Sequence, residues 1–263
     1  MIPTTCLNKQ SDAVVHFSID DSNAIFEDLT LNKAKYKSIF EQPTLSFIKE
    51  LHDKYDITVT FYCFYSWDSE NIEKFNLSNA TDKYSGNFTE NSAWLKFGFH
   101  AYDANSYKNM DSDMQLEYYN CVIEQLIRIT GTDKCIDRFV RLDRFVSNDD
   151  ILQELSKTKY GITGLFCSDT FDRDSYDLSY SEKTQLFAND IYIKNNLVYT
   201  LTDIRIENIK NNLDFYNCIN RVKYQDTVVI FTHEWYLDDN NVRQYFENLA
   251  NYACKSDLKN TFS

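Results

Sequence analysis

Glycine and proline are scarce, five and two in 263 residues, which leaves few places for the glycine-rich loops that cradle phosphates. No GxGxxG or GxxxxGK(S/T) follows any apolar run, so dinucleotide and P-loop nucleotide binding have no support. Cationic residues are outnumbered, 27 Lys and Arg against 40 Asp and Glu, for a formal net charge of -13. A nucleic-acid partner, which requires clustered positive charge, is therefore not expected, and anionic glycans are disfavoured by repulsion. No stretch approaches the roughly 18 apolar residues that cross a bilayer, and the opening Met1 to Lys9 has no apolar signal region. Seven cysteines, Cys6, Cys63, Cys121, Cys135, Cys167, Cys218 and Cys254, are odd in number and contain no CxxC, which suggests neither a disulfide framework nor a zinc ribbon. These absences together predict a soluble protein of a reducing, cytoplasmic setting with no membrane partner. The 19 Tyr and 19 Phe accompany a general richness in Asn, Lys and Ile and do not by themselves indicate a sugar-stacking surface.

What is present is a regular alternation. Apolar, strand-like runs cover 14–19, 57–65, 95–99, 138–142, 164–167, 197–202 and 227–232, and amphipathic helical stretches cover 43–55, 113–130, 149–158 and 240–253. Alternation without a Ser/Gly linker or repeat predicts parallel strands with crossover helices in a single domain over 1–263. Several runs are continuously apolar, as strands covered on both faces are. Seven of them suit a closed or nearly closed βα barrel, an α/β fold, although an open doubly wound sheet is also compatible with the pattern.

Titratable residues close run after run: Asp20 and Asp21, then His100, then Arg141 and Asp143, then Asp169, Asp203, and His233 with Glu234. Barrel enzymes build their sites at that rim, so these residues are expected to face one another. Two adjacent carboxylates at a strand end are unfavourable unless a metal, a cation or a shared proton compensates them. His16 shares a strand face with Ser18 and Asp20 and is expected to be a hydrogen-bonded interior imidazole. His52, beside Asp53 and Lys54 on a helix, is expected to be solvated.

The ordered motifs resemble the polysaccharide deacetylases of the glycoside hydrolase/deacetylase superfamily, whose fold is a distorted seven-stranded βα barrel. Phe17-Ser18-Ile19-Asp20-Asp21-Ser22 is similar to the family's T-F-D-D-G without its glycine, and Phe99-His100-Ala101-Tyr102-Asp103-Ala104 to its H-S-x-x-H, with only the first histidine present. Phe139-Val140-Arg141-Leu142-Asp143 is similar to the arginine motif, without its following proline and tyrosine, and Phe231-Thr232-His233 to the terminal L-x-H. Cys167-Ser168-Asp169 is a weaker counterpart of the fourth region.

The resemblance implies metal-assisted removal of an acetyl group from a carbohydrate. Asp20 would be the general base, Arg141 would orient it, and His233 would protonate the leaving group. Asp21 and His100 would hold a divalent metal, zinc by the donor types, which would lower the pKa of a bound water toward about 7. Ala104 stands where the second metal histidine belongs, so either Asp103 or Asn105 serves as the third ligand, or the site binds metal weakly, or the barrel has lost this reaction.

Two other functions fit the residues. A metal-independent glycoside hydrolase would pair Asp20 or Asp21 with Asp169, Asp203 or Glu234, at about 5 Å for retention or roughly 6.5 to 9.5 Å for inversion. A non-catalytic carbohydrate-binding barrel would use Trp67, Trp94 and Trp235 as stacking platforms.

Overall fold

The computed structural model describes residues 13–67, 74–103, 111–256 and 259–260. Along the chain, β1 (Val14–Asp20) leads to α1 (Ala24–Leu31), α2 (Pro43–Tyr55), β2 (Val59–Phe64), the antiparallel pair β3 (Ser66–Trp67) and β4 (Phe75–Asn76), α3 (Ser85–Glu90) and β5 (Leu95–Ala101). Next come α4 (Ser112–Thr130), β6 (Phe139–Val140), α5 (Asp149–Lys157), β7 (Gly164–Cys167), α6 (Tyr180–Asn189), β8 (Ile191–Lys194), β9 (Leu197–Leu201) and β10 (Ile204–Arg205). The last elements are α7 (Asn212–Tyr224), β11 (Thr227–His233), α8 (Asn240–Lys255) and β12 (Lys259–Asn260). All seven apolar runs contain strands, and the four expected helices form within one or two residues of their expected ends.

Local chemistry sets the helix boundaries. Pro43 opens α2 where its missing N–H is harmless, the Gln42 side chain accepts the Leu45 N–H at 2.8 Å, and Leu45, Ile48 and Leu51 bury one face. Asp111 caps α4 by accepting the Met114 N–H at 2.9 Å, and Gly131, at φ +74°, ends it in the left-handed conformation that glycine adopts without strain. The 183–196 region is ordered: it is the end of α6, which begins with a Ser179/Glu182 capping box, followed by the antiparallel β8–β9 pair.

The strands form two ladders. One has the order β10-β11-β1-β2-β5, all parallel, with β12 also on β1; the other has the order β6-β7-β9-β8, parallel except for β8. The ladder is interrupted at two places where a seven-stranded cylinder would continue. Between β5 and β6 there is one bridge, Phe97 to Ile136, because β6 is only two residues long. Past β9, the Asp203 N–H donates to the Val229 carbonyl of β11 at 2.9 Å. Tyr62, Phe139, Phe166 and Val229, from β2, β6, β7 and β11, pack together, so the two ladders share one inner cluster. That cluster requires glycine on two strands: a Cβ on Gly98 would meet the Tyr62 ring at 2.5 Å, and one on Gly164 the Phe139 ring at 2.2 Å.

Candidate active site

Period-two alternation on β1 turns His16, Ser18 and Asp20 to the same buried face. His16 lies deepest, stacked on Phe166 with ring centroids 4.3 Å apart and 3.3 Å from the Tyr62 hydroxyl. Burial, reinforced by the charge of Arg141, pushes its pKa well below the ordinary value. It is an interior, hydrogen-bonded imidazole, as expected. One step nearer the mouth, the Arg141 guanidinium donates through Nη1 to Ser18 Oγ at 2.9 Å and to Asp20 Oδ1 at 2.8 Å. Arg141 is 1 % exposed and its guanidinium carbon lies 4.3 Å from the Phe231 ring centroid and 5.1 Å from that of Phe166. An ion pair this buried is only weakly screened by water and fixes the Asp20 carboxylate in one orientation.

Asp21 does not continue the strand. Its φ of 56° is left-handed, a conformation that costs an ordinary residue about 1–2 kcal/mol. The turn is held by Ser22 N–H to Tyr62 O (3.0 Å), Ser22 Oγ to Ile19 O (2.7 Å) and Asn23 in paired hydrogen bonds with the Phe64 backbone (2.8 Å each). The reversal parts the two carboxylates: Asp20 pairs with Arg141, while Asp21 Oδ1 accepts from His100 Nε2 at 3.0 Å. His100 Nδ1 donates to the Arg141 carbonyl at 2.5 Å. Burial pulls the His100 pKa down, but the hydrogen bond to Asp21 and the charges of Asp20, Asp21 and Asp143 outweigh it and hold it at about 9. Asp143 is pushed up by burial, against the opposing charge of His100.

His233 closes β11 directly beside Asp20 in the β1–β11 register. Its Nδ1 is 2.6 Å from Glu207 Oε1, and its ring stacks on Trp235 at 4.7 Å. Glu207 is buried and occupies the helical turn after β10. It was not among the residues the sequence pointed to: no motif or period marks it, and only its nearness to an apolar strand end could have done so. Asp20, His100, Arg141, Asp143 and His233 line one pocket of about 70 Å³, whereas Asp21, Trp67, Trp235 and Tyr36 line a groove of about 540 Å³.

Other expected residues are placed elsewhere. Asp169 and Asp203 line a separate pocket of about 460 Å³. Asp203 Oδ2 accepts the Val229 N–H at 2.8 Å, and the Glu234 oxygens accept the Ala24 and Ile25 N–H groups at 2.9 Å each. These two carboxylates bond backbone and do not face a glycosidic bond across the mouth. Trp94 is buried against His52, ring centroids 4.2 Å apart, so it is no stacking platform and His52 is not a fully solvated group. Trp235 is exposed and Trp67 half-buried.

A zinc site requires three protein donors besides water. Among the described residues no three His, Cys, Asp or Glu side chains come together in that way. Asp21 and His100 are bonded to each other, Asp103 does not join them in such a group, and Ala104 and Asn105 lie outside the described residues. The described donors therefore do not make up a zinc site. Asp20 with Arg141 and His233 with Glu207 form two polar pairs at adjacent strand ends.

No family model and no curated protein sequence matches the chain. Solved structures do. A probable polysaccharide deacetylase from Pseudomonas aeruginosa PAO1 matches with TM-score 0.55 at 12% identity, over 96% of this chain and 88% of that one. PuuE allantoinase matches with TM-score 0.56 at 13% identity, over 96% and 88%. The Xyl-CE4 domain of a multidomain xylanase from the hindgut metagenome of Trinervitermes trinervoides matches with TM-score 0.50 at 10% identity, over 95% and 87%. The chain has the α/β fold of the deacetylase-like proteins, as the motif order implied, at an identity that speaks for fold alone.

Proposed function

We propose that the chain is a divergent deacetylase-like hydrolase that takes a carbohydrate in the groove beside Asp21 and cleaves an acyl group from it at the ends of β1 and β11. Asp20 removes the proton of the attacking water and His233 delivers one to the departing amine or hydroxyl. Arg141 keeps Asp20 aimed; Glu207 holds the His233 ring by Nδ1, leaving Nε2 for the substrate. Asp21, turned away to His100, fixes the strand end from which Asp20 projects. Trp67, Trp235 and Tyr36 supply aromatic faces for a sugar ring in the groove. The two ladders act here as arcs of one distorted seven-stranded barrel around the shared inner cluster.

The observation that carries this reading is the pairing of Asp20 with His233 in one register, each with its own buried partner. Acetate release from acetylated xylan and from chitin oligosaccharides tests it. The D20N and H233A variants are expected to lose about 10²- to 10⁴-fold in kcat, the usual worth of a general base or acid. Undiminished release in either variant, or none from the parent chain on any acetylated glycan, counts against the reading.

A further inference from the structure

The chain carries an excess of acid, 40 Asp and Glu against 27 Lys and Arg, and only eight of those cations are arginine. Four of the eight, Arg141, Arg144, Arg173 and Arg205, line the small pocket that also holds Asp20 and His233. No lysine lines it. Against the four guanidinium groups the described lining residues set two carboxylates, Asp20 and Asp143. A locally cationic pocket in an anionic protein opposes the general repulsion and needs a counter-charge.

The protein supplies only part of that counter-charge. Arg141 uses Nη1 on Ser18 and Asp20, and its Nε and Nη2, fully buried, have no partner among the described residues. Arg205 Nε is in the same condition. Arg173 and Arg205 share a single carboxylate, Asp169, at 3.7 Å each, beyond hydrogen-bond reach, and Asp169 does not line the pocket. Arg144 stands 3.7 Å from Asp143, on a backbone at φ 55° that continues into Phe145 at φ 60°. Side-chain exposure falls from 55 % at Arg144 and 46 % at Arg173 to 20 % at Arg205 and 1 % at Arg141, a gradient of positive charge from rim to floor. One tetrahedral oxyanion formed during acyl transfer carries a single charge and would occupy one such guanidinium. With Arg141 facing Asp20 and Arg144 facing Asp143, Arg173 and Arg205 remain as two guanidinium groups over one distant carboxylate.

We propose that this pocket seats an oxyanion, carboxylate or phosphate, carried by the sugar unit that presents its acyl group to Asp20 and His233. The inference rests on the hydrolase reading for the sugar and runs against the expectation, drawn from net charge, that anionic glycans are poor partners. Guanidinium groups favour carboxylate and phosphate because their fork of N–H donors matches two oxygens at once. A volume of about 70 Å³ admits such a substituent, and the ring would take the groove of about 540 Å³, whose lining residues Asp21 and Glu234 follow Asp20 and His233 in the chain.

Calorimetric titration with methyl glucoside, methyl glucuronide and glucose 6-phosphate tests the seat. A charged sugar is expected to bind about tenfold or more tighter than the glucoside at low salt and to lose that advantage as salt rises. Preference for the glucuronide assigns a carboxylate, preference for the phosphate ester a phosphate. The R173Q/R205Q variant is expected to erase the preference while changing glucoside affinity less than about twofold. Should that variant fail to fold, R144Q, altered at the exposed rim, is expected to cut charged-sugar affinity about threefold. Equal affinity for neutral and charged sugars, or a preference that survives R173Q/R205Q, overturns the inference, even if acetate release proves the hydrolase reading right. Binding of inorganic phosphate that depends on Arg173 and Arg205, with no sugar bound, upholds the anion seat and removes the carbohydrate.

Discussion

Arg141 does more at the residue scale than any other side chain of the mouth. It neutralises Asp20, lies over Phe231, and through its carbonyl orients His100. Removing the guanidinium leaves a buried carboxylate without its partner, so R141M is expected to lower unfolding free energy by about 3–5 kcal/mol in denaturant titrations. The D20N/R141M double variant should recover part of that loss; additive losses would mean the two groups do not act as a pair. In the proposed reaction Glu207 acts through His233 as a positioning residue. E207Q is expected to reduce kcat roughly tenfold to a hundredfold with KM unchanged, and to have no effect in an H233A background; an equal loss in both backgrounds assigns Glu207 a structural role only. Asp20, Arg141 and His233 were legible in the sequence because each closes an apolar run and so declares its position. Glu207 was not, since it follows a two-residue strand, Ile204–Arg205, too short to leave a periodic signal.

Helices with a full apolar stripe could be read from the sequence, as Ile151, Leu152 and Leu155 of α5 show. α7 could not, because it exposes Leu213, Tyr216 and Tyr224 and buries only Ile219 and Val222. α1 is eight residues long and begins three residues after the paired aspartates, so its first turn is hidden inside the motif. Its opening N–H groups are satisfied by a carboxylate about two hundred positions away, Glu234, rather than by a local cap. Burial raises the Glu234 pKa from the ordinary 4.5 to about 8, against the pull of the Ala24, Ile25 and Asn23 N–H groups. Between those two values the unfolded chain releases the proton and the folded chain keeps it. The contribution of this carboxyl to stability is therefore greatest below pH 4.5 and declines as pH rises to about 8. E234Q is expected to remove that decline from unfolding curves taken across the window, and to cost about 1–3 kcal/mol at its acid end, where an amide N–H now faces a backbone N–H. A slope unchanged by the substitution would place the proton elsewhere.

For the molecule as a whole, the parallel order of the strands was legible because runs buried on both faces are continuously apolar, and the break into two ladders was not. Strand pairing depends on a few backbone groups at the seams, which hydrophobic pattern does not encode. At the β9 side the seam is Asp203: its N–H donates to the Val229 carbonyl at 2.9 Å, its Oδ2 accepts the Val229 N–H at 2.8 Å, and its carbonyl accepts from Arg221 Nη1 at 2.8 Å. A carboxylate at a strand end can equally be a catalytic acid or a backbone clamp, and only its surroundings decide which. Here they make it a clamp that holds β11, and with it His233, in register against the second ladder. The D203A substitution keeps the backbone bond but orphans the Val229 N–H, so it is expected to cost about 1–3 kcal/mol of stability. If the clamp also positions the site, the Val229 amide of D203A should exchange its hydrogen faster than in the parent chain while amides of β2 remain protected, and kcat should fall with KM preserved. Faster exchange confined to Val229 with kcat intact would leave Asp203 a role in stability alone; uniform acceleration across β2 and β11 would show that the two ladders open as one unit and that the seam is not where they part.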